Sequence, residues 1–192
     1  MKFSLSNNDM LPLGVRWEGD FYEVCADFRL VLKVLRVAAD ESVSRAAKSV
    51  LVGRTVFGTV LPADVFGAFG AFLRECDNEE ADESDDGAGV AFCYEADAGE
   101  IYASFLAVYG IDLLTISFLH WAVFRRLLVH LPDDSAFREK LRLRSMDTSG
   151  LSGEVRMNAE RVKRSVQLPV KLSAAERDER DAFEAQWGGG RE

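Results

Sequence analysis

The stretch IYASFLAVYGIDLLTISFLHWAVFRRLLVHLPDDSAFREKLRLR, residues 101–144, decides the fold. Its apolar residues recur at helical spacing. Tyr102, Phe105, Leu106 and Tyr109 form a stripe expected to be buried, Asp97 and Glu100 stand upstream at the spacing of a capping box, and Gly110 is placed to end the helix. A second helix is expected from about Thr115 to Leu131. One face carries Ile116, Leu119, Val123, Leu127 and Leu131, and another carries Trp121, Phe124 and Leu128. Apolar on more than one side, this helix should be central. Pro132 closes it, Asp133 and Asp134 open the next as N-caps, and Phe137 and Leu141 pin that one to the core.

Toward the N-terminus, the alternation from Leu13 to Val24 around Glu18-Gly19-Asp20 reads as a small hairpin. Asp27 then caps a helix whose Phe28, Val31, Leu32 and Leu35 share one face and which ends near Asp40. A shorter helix spans Val43 to Gly53. Leu61-Pro62-Ala63-Asp64 suits another helix start, with Pro62 in the first turn and with Val65, Phe66, Phe69, Phe72 and Leu73 as its stripe. Gly67 and Gly70 weaken that helix but permit a close approach. Residues 75–100 hold eleven acidic side chains and no Lys or Arg, so their centre, 77–89, should be a solvated loop. Asp82, Ser84, Asp86 and Gly87 have the spacing of a calcium loop, but Cys93 stands where such a loop needs a bidentate Glu, so no calcium site is expected.

Toward the C-terminus the pattern loosens at Ser149-Gly150 and Ser152-Gly153. It resumes as a basic stretch with Arg156, Arg161, Lys163 and Arg164. Ser173 and Glu176 form a second capping box, predicting a charged helix from about 173 to 187 before the glycines at 188–190. The expected protein is therefore mainly α, about six helices with a short N-terminal β-hairpin and a C-terminal helical arm. Residues 1–147 form its helical core domain and 148–192 a basic linker with a charged helix and tail.

Composition narrows the function. A net charge of −9 and a pI near 4.9 argue against nucleic acid as a partner, because such binding draws on many Lys and Arg contacts to phosphate. Cys25, Cys76 and Cys93 are three, well separated and without a CxxC pair, which suits neither a disulfide framework nor a zinc site. No signal peptide or membrane span is expected. His120 and His130 lie ten residues apart on the expected helix, about 15 Å along its axis at ~1.5 Å per residue, so they cannot share a metal there. His120 is read as orienting its helix by a hydrogen bond to backbone. The GAFG at 67–70 sits inside an apolar stripe and carries no nucleic-acid-clamping role. No catalytic, metal or cofactor residue is expected, and the protein is read as not an enzyme.

Three motifs in order, IYASFLAVYGIDL (101–113), LHWAVFRRLL (119–128) and LPDDSAFREKLRLR (131–144), resemble the core of a gp15-type bacteriophage family encoded near the tape-measure gene of long-tailed phages. LPLGVRWEGDFYEVCADFRLVLKVL (11–35) resembles the family's opening and RVKRSVQL (161–168) its end. One departure falls after LHW, where the family pattern has a second Trp and a Lys-rich turn and this chain has Ala122 and Arg125-Arg126. A packing role survives that change better than a charge-specific contact would.

The resemblance implies a non-enzymatic tail-assembly chaperone that binds the tape-measure protein and other tail-assembly proteins in the cytoplasm of the bacterial host, without a cofactor. The alternative it allows is a structural virion component, a tail-completion or connector subunit. A helical tape measure calls for apolar contact surface on its partner. The candidates are Phe66, Phe69 and Phe72 on one helix and Trp121 and Phe124 on another, each also explicable as core at helical spacing. From Arg138 to Lys171 there are nine Lys or Arg against four Asp or Glu, a basic arm suited to self-association through another subunit's acidic loop.

Overall fold

A computed structural model describes residues 11–58, 61–76 and 92–168. The acidic loop at 77–89 and the expected helix at 173–187 lie outside the described residues. Strands β1 (Gly14–Trp17) and β2 (Asp20–Glu23) pair antiparallel, Gly14 opposite Glu23 and Trp17 opposite Asp20. Glu18 and Gly19 link them with φ of 51° and 96°, the left-handed geometry that matches a hairpin's turn to the twist of its strands.

Seven helices follow among the described residues. Helix α1 (Phe28–Ala39) begins where the Asp27 carboxylate accepts the Arg29 N–H at 3.0 Å, and Asp40 ends it. Helix α2 (Arg45–Val56) is capped by Ser44 and runs beyond Gly53. Helix α3 (Val65–Cys76) starts at Asp64, whose carboxylate accepts the Gly67 N–H at 3.0 Å, so Pro62 precedes the helix instead of occupying its first turn. Helix α4 (Ala98–Tyr109) stops at Gly110, which is left-handed at φ 67° as its sequence position required.

The long helix expected from Thr115 to Leu131 is shorter. Only Trp121–Val129 is helical (α5), and residues 117–121 run beside 26–28 instead. Phe28 N–H donates to the Leu119 carbonyl at 3.0 Å and Trp121 N–H to the Ala26 carbonyl at 2.7 Å, while Arg29 reaches the Ser117 carbonyl at 3.0 Å. These bonds satisfy backbone groups that a helix would otherwise have paired, so a tertiary contact overrides the local period. His120 and His130 consequently sit at the two ends of α5.

Helix α6 (Ala136–Ser145) is capped by Ser135, whose hydroxyl accepts the Arg138 N–H, and not by Asp133 or Asp134. Asp133 pairs instead with the Arg138 side chain. The basic stretch is a helix, α7 (Gly153–Ser165), packed on α6.

The hairpin and α1–α3 make one half of the packing and α4–α7 the other. They meet where α1 lies on α5. Phe124 is the hub: its ring stacks on Phe28 at 4.7 Å, on Phe105 of α4 at 5.2 Å and on Trp121 at 5.8 Å between centroids. Stacked aromatics of this kind add to the burial of their area.

Candidate interaction surface

The structure places Phe69, Phe72, Trp121 and Phe124 inside the core, none more than 5% exposed, with Phe66 half-buried against it. Four of the five candidate contact residues thus hold this chain's own helices together. Their stripes found partners within the fold, α3 against the hairpin and α2, α5 against α1 and α4. His120 does orient its helix through backbone: Nδ1 accepts the Ala122 N–H at 3.1 Å, and Nε2 faces the Pro12 carbonyl at 3.0 Å.

Helix α4 presents an uncovered apolar surface. Its inner side is built from Ile101, Ser104 and Phe105. The Ser104 hydroxyl accepts the Phe137 N–H at 3.0 Å, tying the first turn of α6 to the middle of α4, and the Tyr109 hydroxyl donates to the Leu127 carbonyl at 2.8 Å. Gly99, Ala103, Leu106, Ala107 and Gly110 recur every three or four residues on the outer side, and all are exposed. Leu106, expected in the buried stripe, is 44% exposed; Leu114, just beyond the helix, is 76% exposed. A Cβ added at Gly99 or Gly110 would meet nothing within 4 Å. This side of the helix carries no charge.

The single charged residue of α4, Glu100, is committed elsewhere. Lys140 of α6 binds it at 2.8 Å and Asp97 at 3.0 Å, and also donates to the Ala96 carbonyl at 3.2 Å. Asp97 does not cap α4 through its side chain. Its carboxylate turns inward, fully buried, to accept two bonds from Arg144 and one from the Cys93 N–H at 3.0 Å. Burial pushes the Asp97 carboxyl up, but the bonds from Arg144, the Cys93 N–H and Lys140, with the charge on Arg144, outweigh it and hold the group down at about 2. The expected capping box is therefore an ion cluster fastening α4 to α6, because a partner far along the chain offers the carboxylate more than a local N–H does.

The arrangement is an exposed apolar helix face backed by a buried charge cluster. Sequence reading overlooked it because any face of so apolar a helix passes for core. The available signal was that α4 has apolar residues on every side and one charge. Among the described residues no group of three His, Cys, Asp or Glu is placed to hold a metal ion, and no helix is long and apolar enough to cross a membrane.

A mainly helical domain with a two-stranded N-terminal hairpin and an uncovered helix face defines the class. The profile of the family described as "Bacteriophage Gp15 protein" matches residues 7–168, and the chain belongs to that family. It is thus a bacteriophage protein of a family of phage structural or assembly proteins. No curated protein and no solved structure matches the chain.

Proposed function

We propose that the protein is a non-enzymatic tail-assembly chaperone that binds the tape-measure protein in the host cytoplasm, with the outer face of α4 taking an apolar helical stripe of that partner. The observation that carries this reading is the uncharged face at Gly99, Ala103, Leu106, Ala107 and Gly110, in a family of phage structural or assembly proteins. A helix apolar all round is normally covered on every side, and an exposed apolar patch marks a contact. Small residues at this spacing bring a second helix backbone close, and Leu106 supplies a ridge for its groove. The negative charge elsewhere keeps a complex with a long apolar partner dispersed.

Co-expression with the tape-measure protein of the same phage tests the reading. The expected outcome is soluble co-purification of the two, with the protein missing from purified particles. Its recovery as a stoichiometric component of finished particles would assign it to the virion and overturn the chaperone reading.

A further inference from the structure

We propose that in the free protein the outer face of α4 is covered by the α4 of a second copy, antiparallel across a two-fold axis, and that the tape-measure helix displaces this copy. The displacement rests on α4 being the tape-measure site. At about 100° per residue, Ala103, Leu106 and Gly110 lie within about 40° of Gly99 around the helix, whereas Ile101, Ser104 and Phe105 lie about 140–240° away from it. The first four are exposed and the last three buried. Ser104 is held by α6 and Phe105 stacks on α5, so both neighbouring helices lie behind α4 and leave the opposite face open to a second chain. Leu106 is 44% exposed on that face, and an apolar side chain of its size gains by burial.

The face fits a copy of itself. An isologous contact brings the same residues together from both sides, so it must match its own shape and charge. With the two-fold axis level with the Ser104–Phe105 peptide, Leu106 of each copy stands level with Ala103 of the other, and Gly99 with Gly110. Each large side chain then lies beside a small one, the two leucines meet about 4.5 Å apart along the axis, and both ends close on glycines that let the backbones approach. A Cβ on Gly99 or Gly110 would meet nothing within 4 Å, which leaves that space to the second copy. A parallel pairing sets Leu106 on Leu106 and Ala103 on Ala103, which holds the helices apart at one level and leaves a gap at the other. Charge agrees. Glu100, the one charge on α4, is turned to Lys140 and away from the face, so two copies that each carry a net charge of −9 bring no like charges into contact. The twelve residues of α4 span about 18 Å, and one helix face of that length is well short of the ~800 Å² per partner that a stable dimer buries. The self-contact is therefore weak, and a longer partner helix replaces it.

Sedimentation equilibrium of the full chain over a concentration series tests the contact. The expected result is a reversible monomer–dimer equilibrium, at least about tenfold weaker in Leu106→Glu and in Ala103→Lys, with the urea midpoint of each variant unchanged. Mixing those two variants should restore association, because the antiparallel register sets the new carboxylate level with the new ammonium, as a parallel one does not. A chain monomeric throughout the series, a dimer indifferent to both substitutions, or a mixture without recovery overturns the proposal. A dimer that dissolves as salt is raised gives the contact to the basic arm and an acidic segment, and overturns it as well. Adding the tape-measure protein distinguishes self-contact from function. Energy transfer between copies labelled at the N-terminal amine should be lost as the tape-measure protein is captured, and capture with the transfer intact overturns the displacement. Capture by a chain that never dimerises overturns the self-contact and leaves the chaperone reading standing. A dimer sensitive to Leu106→Glu that captures nothing keeps the self-contact and overturns that reading.

Discussion

Arg144 meets Asp97 side-on across a sequence separation of 47, Nη1 to Oδ2 at 2.8 Å and Nη2 to Oδ1 at 2.6 Å, with both side chains buried. A guanidinium and a carboxylate paired this way fix orientation as well as distance. Asp97 precedes α4 and Arg144 lies in the last turn of α6, so the pair sets how those helices cross. Arg144 also donates to the Val166 carbonyl, which ties the exit of α7 to the same point. The cluster thus backs the inner side of α4, behind the face proposed to take a partner.

Removing the carboxylate leaves Arg144 and Lys140 without their shared anion in a buried place. Asp97→Ala should therefore cost roughly 3–5 kcal/mol in urea unfolding, the range for breaking a buried pair from one side. The pH dependence has a definite sign. Held at about 2 when folded, Asp97 lies below its unfolded value, so its contribution is complete above about pH 4 and is lost as pH falls through about 2. Melting temperatures recorded from pH 5 to 2 should fall steeply for the native chain and less steeply for Asp97→Asn. Parallel curves would show that the pair contributes nothing.

His120 titrates in the opposite range. Burial pushes its imidazole below the usual value, against a smaller upward pull from the Pro12 carbonyl, so the folded state favours the neutral ring whose Nδ1 caps α5. A depressed folded pKa means that the contribution is complete above the unfolded value of about 6.5 and declines as pH falls below it. His120→Asn, which can still cap the helix, should flatten the stability profile as pH falls below about 6.5. His120→Ala should cost about 1–2 kcal/mol through the lost cap. An unchanged slope in the Asn variant would place the titration elsewhere.

Two glycines three residues apart on α3 should respond with opposite signs. A Cβ at Gly67 would run into the Trp17 ring and the Asp64 carboxylate that caps the helix, whereas a Cβ at Gly70 would meet only the flexible end of Arg74, at 3.6 Å. Gly67→Ala should destabilise by ~1–3 kcal/mol through overpacking. Gly70→Ala should stabilise by ~0.5–1 kcal/mol, because it removes a glycine from a helix interior without a clash. Chemical denaturation of the two single variants checks both, and a matching sign would contradict this packing of the hairpin on α3.

What the sequence disclosed and what it hid divide by distance along the chain. The hairpin, the Asp27 cap and the Gly110 stop are set by a few adjacent residues, and each stands where the pattern put it. Residues 115–120 have a helical period, yet Thr115 and Ile116 only close a turn onto Asp112 while the Leu119 carbonyl and Trp121 N–H bond to Phe28 and Ala26, a pairing that no local window contains. Asp97 has the spacing of a cap, and its partners lie on α6. Phe69, Phe72, Trp121 and Phe124 were visible as stripes, but a stripe does not state whether its complement is the same chain or another. Burial settles that for these four, and it turns attention to Leu106, whose pattern had placed it inside.

Leu106 therefore offers the sharpest test of the proposed contact. Leu106→Glu and Ala107→Glu put charge on the outer side of α4, where both positions are exposed in the monomer. Folding stability should change by no more than ~0.5 kcal/mol, the ordinary range for surface substitutions. A helix docked there must bury the new carboxylate unpaired, so affinity for the tape-measure protein should fall at least about tenfold, equivalent to 1.4 kcal/mol. Met157→Glu on α7 supplies the control: it adds the same charge at an exposed position of a different helix and should leave that affinity unchanged. If all three variants bind alike, the partner does not use α4. If all three weaken binding alike, the effect is one of total charge and not of a contact. Loss confined to the two α4 variants is the pattern that a docked helix requires.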